Sequence, residues 1–125
     1  MAEASSAAHV LLVEDEESVR TVVARLLKRL GYRVSTAADA EETFQLLDDG
    51  NEFDLVLTDI IMPGLSGTSM AEILRERHPD LPFLFMSGYT SRESGVNPQH
   101  PPEPYLAKPF TMQELAEKVR EVLKA

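Results

Sequence analysis

An α/β fold, with a parallel sheet flanked by helices, is predicted by three features of this sequence. Short apolar runs alternate with longer segments of helical period, the alternation recurs five times, and several runs are apolar throughout rather than at every second residue. Unbroken apolar runs suit strands covered on both faces, and strands alternating with helices suit βα units.

The runs are VLLV at 10–13, RVSTA at 33–37, FDLVLTD at 53–59, FLFMS at 83–87 and YLA at 105–107. The first helix is read from Val19, Val22, Val23, Leu26, Leu27 and Leu30, which follow the i, i+3, i+4, i+7 spacing of one apolar stripe. Arg20, Arg25, Lys28 and Arg29 lie elsewhere around its cylinder, and Gly31 supplies a left-handed stop. A second helix starts at Asp39 as cap, with Glu42 three residues on, and turns Phe44, Leu46 and Leu47 to the core. A third starts near Ser66, carries Met70, Ile73 and Leu74, and ends before His78-Pro79. The last opens on Thr111-Met112-Gln113-Glu114, which has the form of a capping box, and buries Leu115, Val119, Val122 and Leu123. Between Ser91 and Pro104, SRESGVNPQHPPEP holds four prolines and one glycine, so any helix there is limited to a turn or two.

A chain of 125 residues suits one domain with one core, assigned here to residues 9–125. Residues 1–8 (MAEASSAA) are small and polar and read as a disordered tail or linker. The formal charge of −9 and pI near 4.7 repel phosphate backbones and anionic headgroups, so direct nucleic-acid binding is not expected. Without cysteine there is no disulfide framework or thiolate metal site. No apolar stretch approaches the roughly 18 residues of a membrane span, so membrane insertion is not expected and a cytoplasmic location is.

In an open parallel sheet, ligands bind beyond the carboxyl ends of the strands. Glu14 and Asp15 follow the first run, Asp59 ends the third, Ser87 followed by Gly88 ends the fourth, and the fifth leads to Lys108-Pro109-Phe110. Each has a bland reading alone: Asp15 as a helix cap, Asp59 as a turn former before Met62-Pro63-Gly64, Ser87-Gly88 as a turn, Lys108 as a surface residue. Their arrival at one edge of one sheet is what unrelated surface residues rarely achieve. Three carboxylates so gathered repel one another unless a cation joins them, and Mg²⁺ suits an all-oxygen site without His or Cys.

At these residues the sequence closely resembles the receiver domain of two-component response regulators. The resemblance covers about Val10 to Leu123 and rests on Glu14-Asp15, TDIIMPG at 58–64, SGYT at 87–90 and KPF at 108–110. It implies a flavodoxin-like doubly wound sheet of order 2-1-3-4-5 with helices on both faces, the fourth helix being short or irregular here. It also implies that Asp59 accepts a phosphoryl group from phosphohistidine, and that Asp15, Asp59 and the backbone carbonyl of Ile61 hold Mg²⁺, with Glu14 acting through a water. Lys108 then pairs with the phosphoryl oxygens and Ser87 donates a hydroxyl to one of them. Ser87 and Tyr105, expected to end neighbouring strands, would form a switch in which Tyr105 turns inward on phosphorylation. A cis Lys108-Pro109 peptide is expected on the same analogy. The chain would then be no enzyme but a signalling domain that promotes its own phosphorylation and dephosphorylation. Its partner would be a histidine kinase or a histidine phosphotransfer protein, and it would be a monomer or weak dimer. The SGYT stretch and the small-residue leader look most like receivers of hybrid sensor histidine kinases, a freestanding regulator being the alternative.

Ile61 and Tyr89 flank the path of a hydrolytic water and carry no group suited to orient it, so slow phosphate loss is expected. Rival functions fit less well. A flavodoxin-type carrier needs a phosphate-binding first loop, and Glu14 to Glu17 would repel the phosphate. A haloacid-dehalogenase-type phosphatase needs a second acid two residues after its nucleophile, where Ile61 stands. A nucleotide-binding fold wants a glycine-rich turn after the first strand, and none exists. The remaining alternative is a pseudo-receiver interaction module that is never phosphorylated, whose usual mark is loss of the Asp or the Lys.

Overall fold

The computed structural model describes residues 7–87 and 104–124. Among them are five strands, β1 (His9–Val13), β2 (Arg33–Ala37), β3 (Leu55–Asp59), β4 (Phe83–Ser87) and β5 (Tyr105–Ala107), and four helices, α1 (Glu17–Arg29), α2 (Ala40–Asp48), α3 (Gly67–Arg77) and α4 (Met112–Lys124). The strands form one parallel sheet of order β2-β1-β3-β4-β5, the order the resemblance implies. The proline-rich 91–104 segment, apart from Pro104, lies outside the described residues, together with Tyr89 and the shortened fourth helix expected there.

The unbroken apolar runs are the covered strands. Every residue of β3 and β4 is buried and so are Val10 to Val13 of β1, whereas the edge strand β2 is largely open. Alternate side chains feed two cores, one on each face of the sheet. Leu12, Leu57, Leu84 and Met86 meet α1 and α4 through Val23, Leu27, Leu115 and Val119. Leu11, Val56, Phe83 and Phe85 meet α3 through Met70 and Leu74. Burial of an aliphatic or aromatic side chain contributes about 1.5–3 kcal/mol, so these two layers hold the strand ends in fixed register.

The helix boundaries follow their caps. Asp39 accepts from the Glu42 amide at 2.9 Å while Glu42 accepts from the Ala38 amide at 2.7 Å, and the Ser66 hydroxyl accepts from the Ser69 amide at 3.2 Å. Thr111 and Glu114 cap each other reciprocally, each side chain accepting from the other's amide, at 3.0 and 2.9 Å. Gly31 has φ 99°, the left-handed stop expected after α1.

Two helical faces differ from the periodicity reading. In α1 the buried set is Val23, Ala24 and Leu27, with Val22 55% exposed; in α3 it is Gly67, Met70, Ala71 and Leu74, with Ile73 43% exposed. The sheet covers a narrower sector than the sequence stripe, and Val22, at the edge of the α1 stripe, lines the cleft at the end of the sheet instead. In α2, Ala40 and Thr43 take the fully buried places, and Phe44, Leu46 and Leu47 pack half-buried around them.

Candidate functional site

The site grows from the carboxyl edge of the sheet. Glu14 follows β1 directly, and its amide donates to the Ala37 carbonyl at 3.0 Å, extending the β1–β2 pairing by one residue. Asp59 is the last residue of β3 and Ser87 the last of β4. Lys108 follows β5, its amide donating to the Ser87 carbonyl at 2.9 Å, and its peptide bond to Pro109 is cis as expected. Parallel pairing therefore brings all five residues singled out in the sequence, Glu14, Asp15, Asp59, Ser87 and Lys108, to the wall of one cleft of about 600 Å³.

Lys108 is the electrostatic centre of that cleft. Its Nζ donates to Glu14 Oε1 at 2.8 Å and to Asp59 Oδ2 at 3.1 Å. Glu14 and Asp59 are buried, at 1% and 8% exposure, and Asp15 is exposed. Burial pushes the Glu14 carboxyl above the ordinary carboxylate range, the charge of Asp59 adds to the rise, and Lys108 opposes it. Burial works against the Lys108 ammonium too, yet its hydrogen bond to Glu14 and the charges of Asp59 and Glu14 outweigh that cost and hold its pKa above the usual lysine value. One oxygen from each of Glu14, Asp15 and Asp59 lies within 4.8 Å of the other two. An all-oxygen set of that size suits a hard divalent cation.

Tyr105 departs from expectation in its place. It opens β5 rather than ending it, pairing in register with Phe85, because β5 is only three residues long and Ala107 is the residue opposite Ser87. Its half-buried ring packs against the α3 side of the core, and its hydroxyl donates to the Ser87 carbonyl at 3.4 Å. Ile61, 37% exposed, stands at the mouth of the cleft.

The site tasks of Gly67, Arg20, Val22 and Leu26 escaped the sequence reading. Gly67, the first residue of α3, touches the Asp59 main chain so closely that a Cβ there would overlap the Asp59 carbonyl oxygen, and its amide donates to the Ile60 carbonyl at 2.8 Å. A glycine just after a helix cap was the available signal. Arg20 donates from Nη1 to the Glu14 carbonyl at 2.7 Å. Val22, Leu26 and Phe110 form an apolar wall beside the acids.

The family model of the response regulator receiver domain matches residues 10–120. The chain belongs to this family. This receiver is 40% identical over 121 residues to the sensor kinase CckA of Brucella abortus, a match covering 95% of this chain and 13% of that kinase. It is 29% identical over 115 residues to the response regulator receiver protein CpdR of the same species, covering 91% of this chain and 95% of CpdR. Among solved structures, the receiver domain of the hybrid histidine kinase CckA is 36% identical with a TM-score of 0.71, over 92% of this chain and 98% of that one. The response regulator TrrA of Thermotoga maritima, solved in complex with Mg(2+)-BeF, is 32% identical with a TM-score of 0.78, over 92% of this chain and 98% of that one. The receiver thus spans nearly all of its single-domain relatives and a small part of the kinase. Among the described residues, no helix is long and apolar enough to cross a membrane.

Proposed function

We propose that this receiver takes a phosphoryl group on Asp59 from a phosphohistidine, with Mg²⁺ held by Asp15, Asp59 and the Ile61 carbonyl and by Glu14 through a water. The observation that carries the reading is Lys108, held by two buried carboxylates of which one, Asp59, ends the central strand β3. In the transfer, an Asp59 carboxylate oxygen bonds to phosphorus as the bond from phosphorus to the histidine nitrogen breaks, and the imidazole leaves as it gains a proton. Lys108, freed from one carboxylate, pairs with phosphoryl oxygens, and the Ser87 hydroxyl donates to another. Magnesium, when bound, supplies positive charge that offsets the carboxylates and the incoming group.

The donor is a protein, a histidine kinase or a histidine phosphotransfer domain. Exposed Val22 on α1 lies on the apolar wall of the cleft, where a small donor gains nothing from it, and Arg25 and Lys28 are exposed further along the same helix. The likeness to the CckA receiver favours a module of a hybrid kinase working in the cytoplasm. As a signalling domain it promotes its own phosphorylation and dephosphorylation, and Ser87 and Tyr105 form its switch. The contact of the Tyr105 hydroxyl with the Ser87 carbonyl supports that coupling. Transfer from a phosphohistidine-bearing kinase domain tests the proposal. Label is expected on wild type, none on Asp59→Asn, and slow transfer to Val22→Asp with normal labelling by acetyl phosphate. Label retained by Asp59→Asn would refute it.

A further inference from the structure

We infer that Arg20 is a positioning residue for the acidic pair: by donating to the main-chain carbonyl of Glu14, it sets the direction in which Asp15 offers its carboxylate to a divalent cation. The inference rests on the phosphoacceptor reading and adds a residue to it.

Glu14 is fixed at every polar group it has. Its amide donates to the Ala37 carbonyl at 3.0 Å, Oε1 accepts from Lys108 at 2.8 Å, Oε2 accepts from the Glu16 amide at 3.2 Å, and its carbonyl accepts from Arg20 Nη1 at 2.7 Å. The first three hold the strand end and the Glu14 side chain. Only the fourth acts on the Glu14–Asp15 peptide plane, because the carbonyl of Glu14 and the amide of Asp15 belong to one rigid unit. Asp15 is exposed, so the direction of its carboxylate depends on the backbone that carries it. Arg20 is itself anchored to this turn, its amide donating to the Glu16 carbonyl at 2.9 Å, and its half-buried side chain returns from the first turn of α1 to the loop that precedes it. A charge-assisted bond of this length is a strong local restraint.

Charge alone predicts the opposite effect on metal. A guanidinium bonded to the Glu14 carbonyl brings positive charge to the acidic turn and repels Mg²⁺, so deleting it should tighten binding if electrostatics were its whole role. Weaker binding on deletion therefore reports geometry.

The test compares Mg²⁺ affinity by calorimetry in wild type, Arg20→Met and Arg20→Lys, with melts in EDTA to verify folding and the Asp15 amide resonance followed in the metal-free state. Arg20→Met is expected to bind Mg²⁺ about 10-fold more weakly, as loss of an outer orienting partner does at metal sites, and to shift the Asp15 amide. Arg20→Lys, which keeps a cationic donor, recovers most of the affinity. If Arg20→Met fails to fold, Arg20→Gln carries the same comparison. Equal or tighter binding by the deletion variant, with wild type binding normally, overturns the role of Arg20 alone. Wild type that binds no Mg²⁺ overturns the phosphoacceptor reading and this inference with it.

Discussion

Lys108 lies nearer to Glu14 than to Asp59, 2.8 Å against 3.1 Å, so one ammonium is shared between two buried carboxylates. One ammonium stands among three carboxylates, and the cluster holds together only partly neutralised.

Removing that ammonium should expose the imbalance. Lys108→Met is expected to lose about 1–3 kcal/mol of stability in EDTA, below the cost of breaking a fully buried pair, because the Lys108 side chain is 20% exposed. Mg²⁺ should then raise the melting temperature of the variant more than that of wild type, since it relieves a larger repulsion. Thermal melts with and without Mg²⁺ check both; an equal Mg²⁺ shift in the two proteins contradicts the electrostatic account.

The pH dependence has a definite sign. A carboxyl whose folded pKa is raised gives stability that is fully present below its unfolded value, near 4.5 for Glu14, and is lost as pH rises through the folded value. Lys108, also raised, gives stability present below about 10.5 and lost as pH climbs past its folded value. Metal-free Glu14→Gln should therefore lose less stability than wild type between pH 4.5 and neutrality. Urea unfolding in EDTA across that range measures it, and parallel profiles for the two proteins would count against the buried-charge cost at Glu14.

Gly67→Ala should cost about 2 kcal/mol or more, in the range of overpacked sites, and should slow labelling by moving Asp59. The added methyl would meet the Asp59 carbonyl, a backbone atom that cannot swing aside as a side-chain tip can. Chemical unfolding and acetyl phosphate labelling report the two effects; wild-type values in both would show that α3 shifts freely against β3.

Much of this was legible in the sequence because it depends on local chemistry. The five strands, the caps at Asp39, Ser66 and Thr111, and the strand-end acids each leave a short-range pattern. What escaped depends on distances that only packing sets. The exposure of Val22 depends on which sector of α1 the sheet covers, and the tasks of Arg20 and Gly67 appear only once their helices lie against β1 and β3. Tyr105 opens the run already legible at 105–107, so the residue facing Ser87 across the sheet is Ala107, and the expectation that Tyr105 ends its strand does not follow from those bounds.

The aspartyl phosphate should be long-lived. Ile61 presents an apolar side chain at the mouth of the cleft, where an amide or acid could orient an attacking water. Mass spectrometry over time is expected to show slow decay in Mg²⁺ buffer and faster decay for Ile61→Gln. Loss within seconds from the unsubstituted protein contradicts the role given to Ile61.

The central claim is tested most directly by intact mass after incubation with acetyl phosphate and Mg²⁺. One added phosphoryl group on wild type, none on Asp59→Asn and none in EDTA is the predicted result. An unmodified wild-type mass, or the same addition on Asp59→Asn, would contradict it.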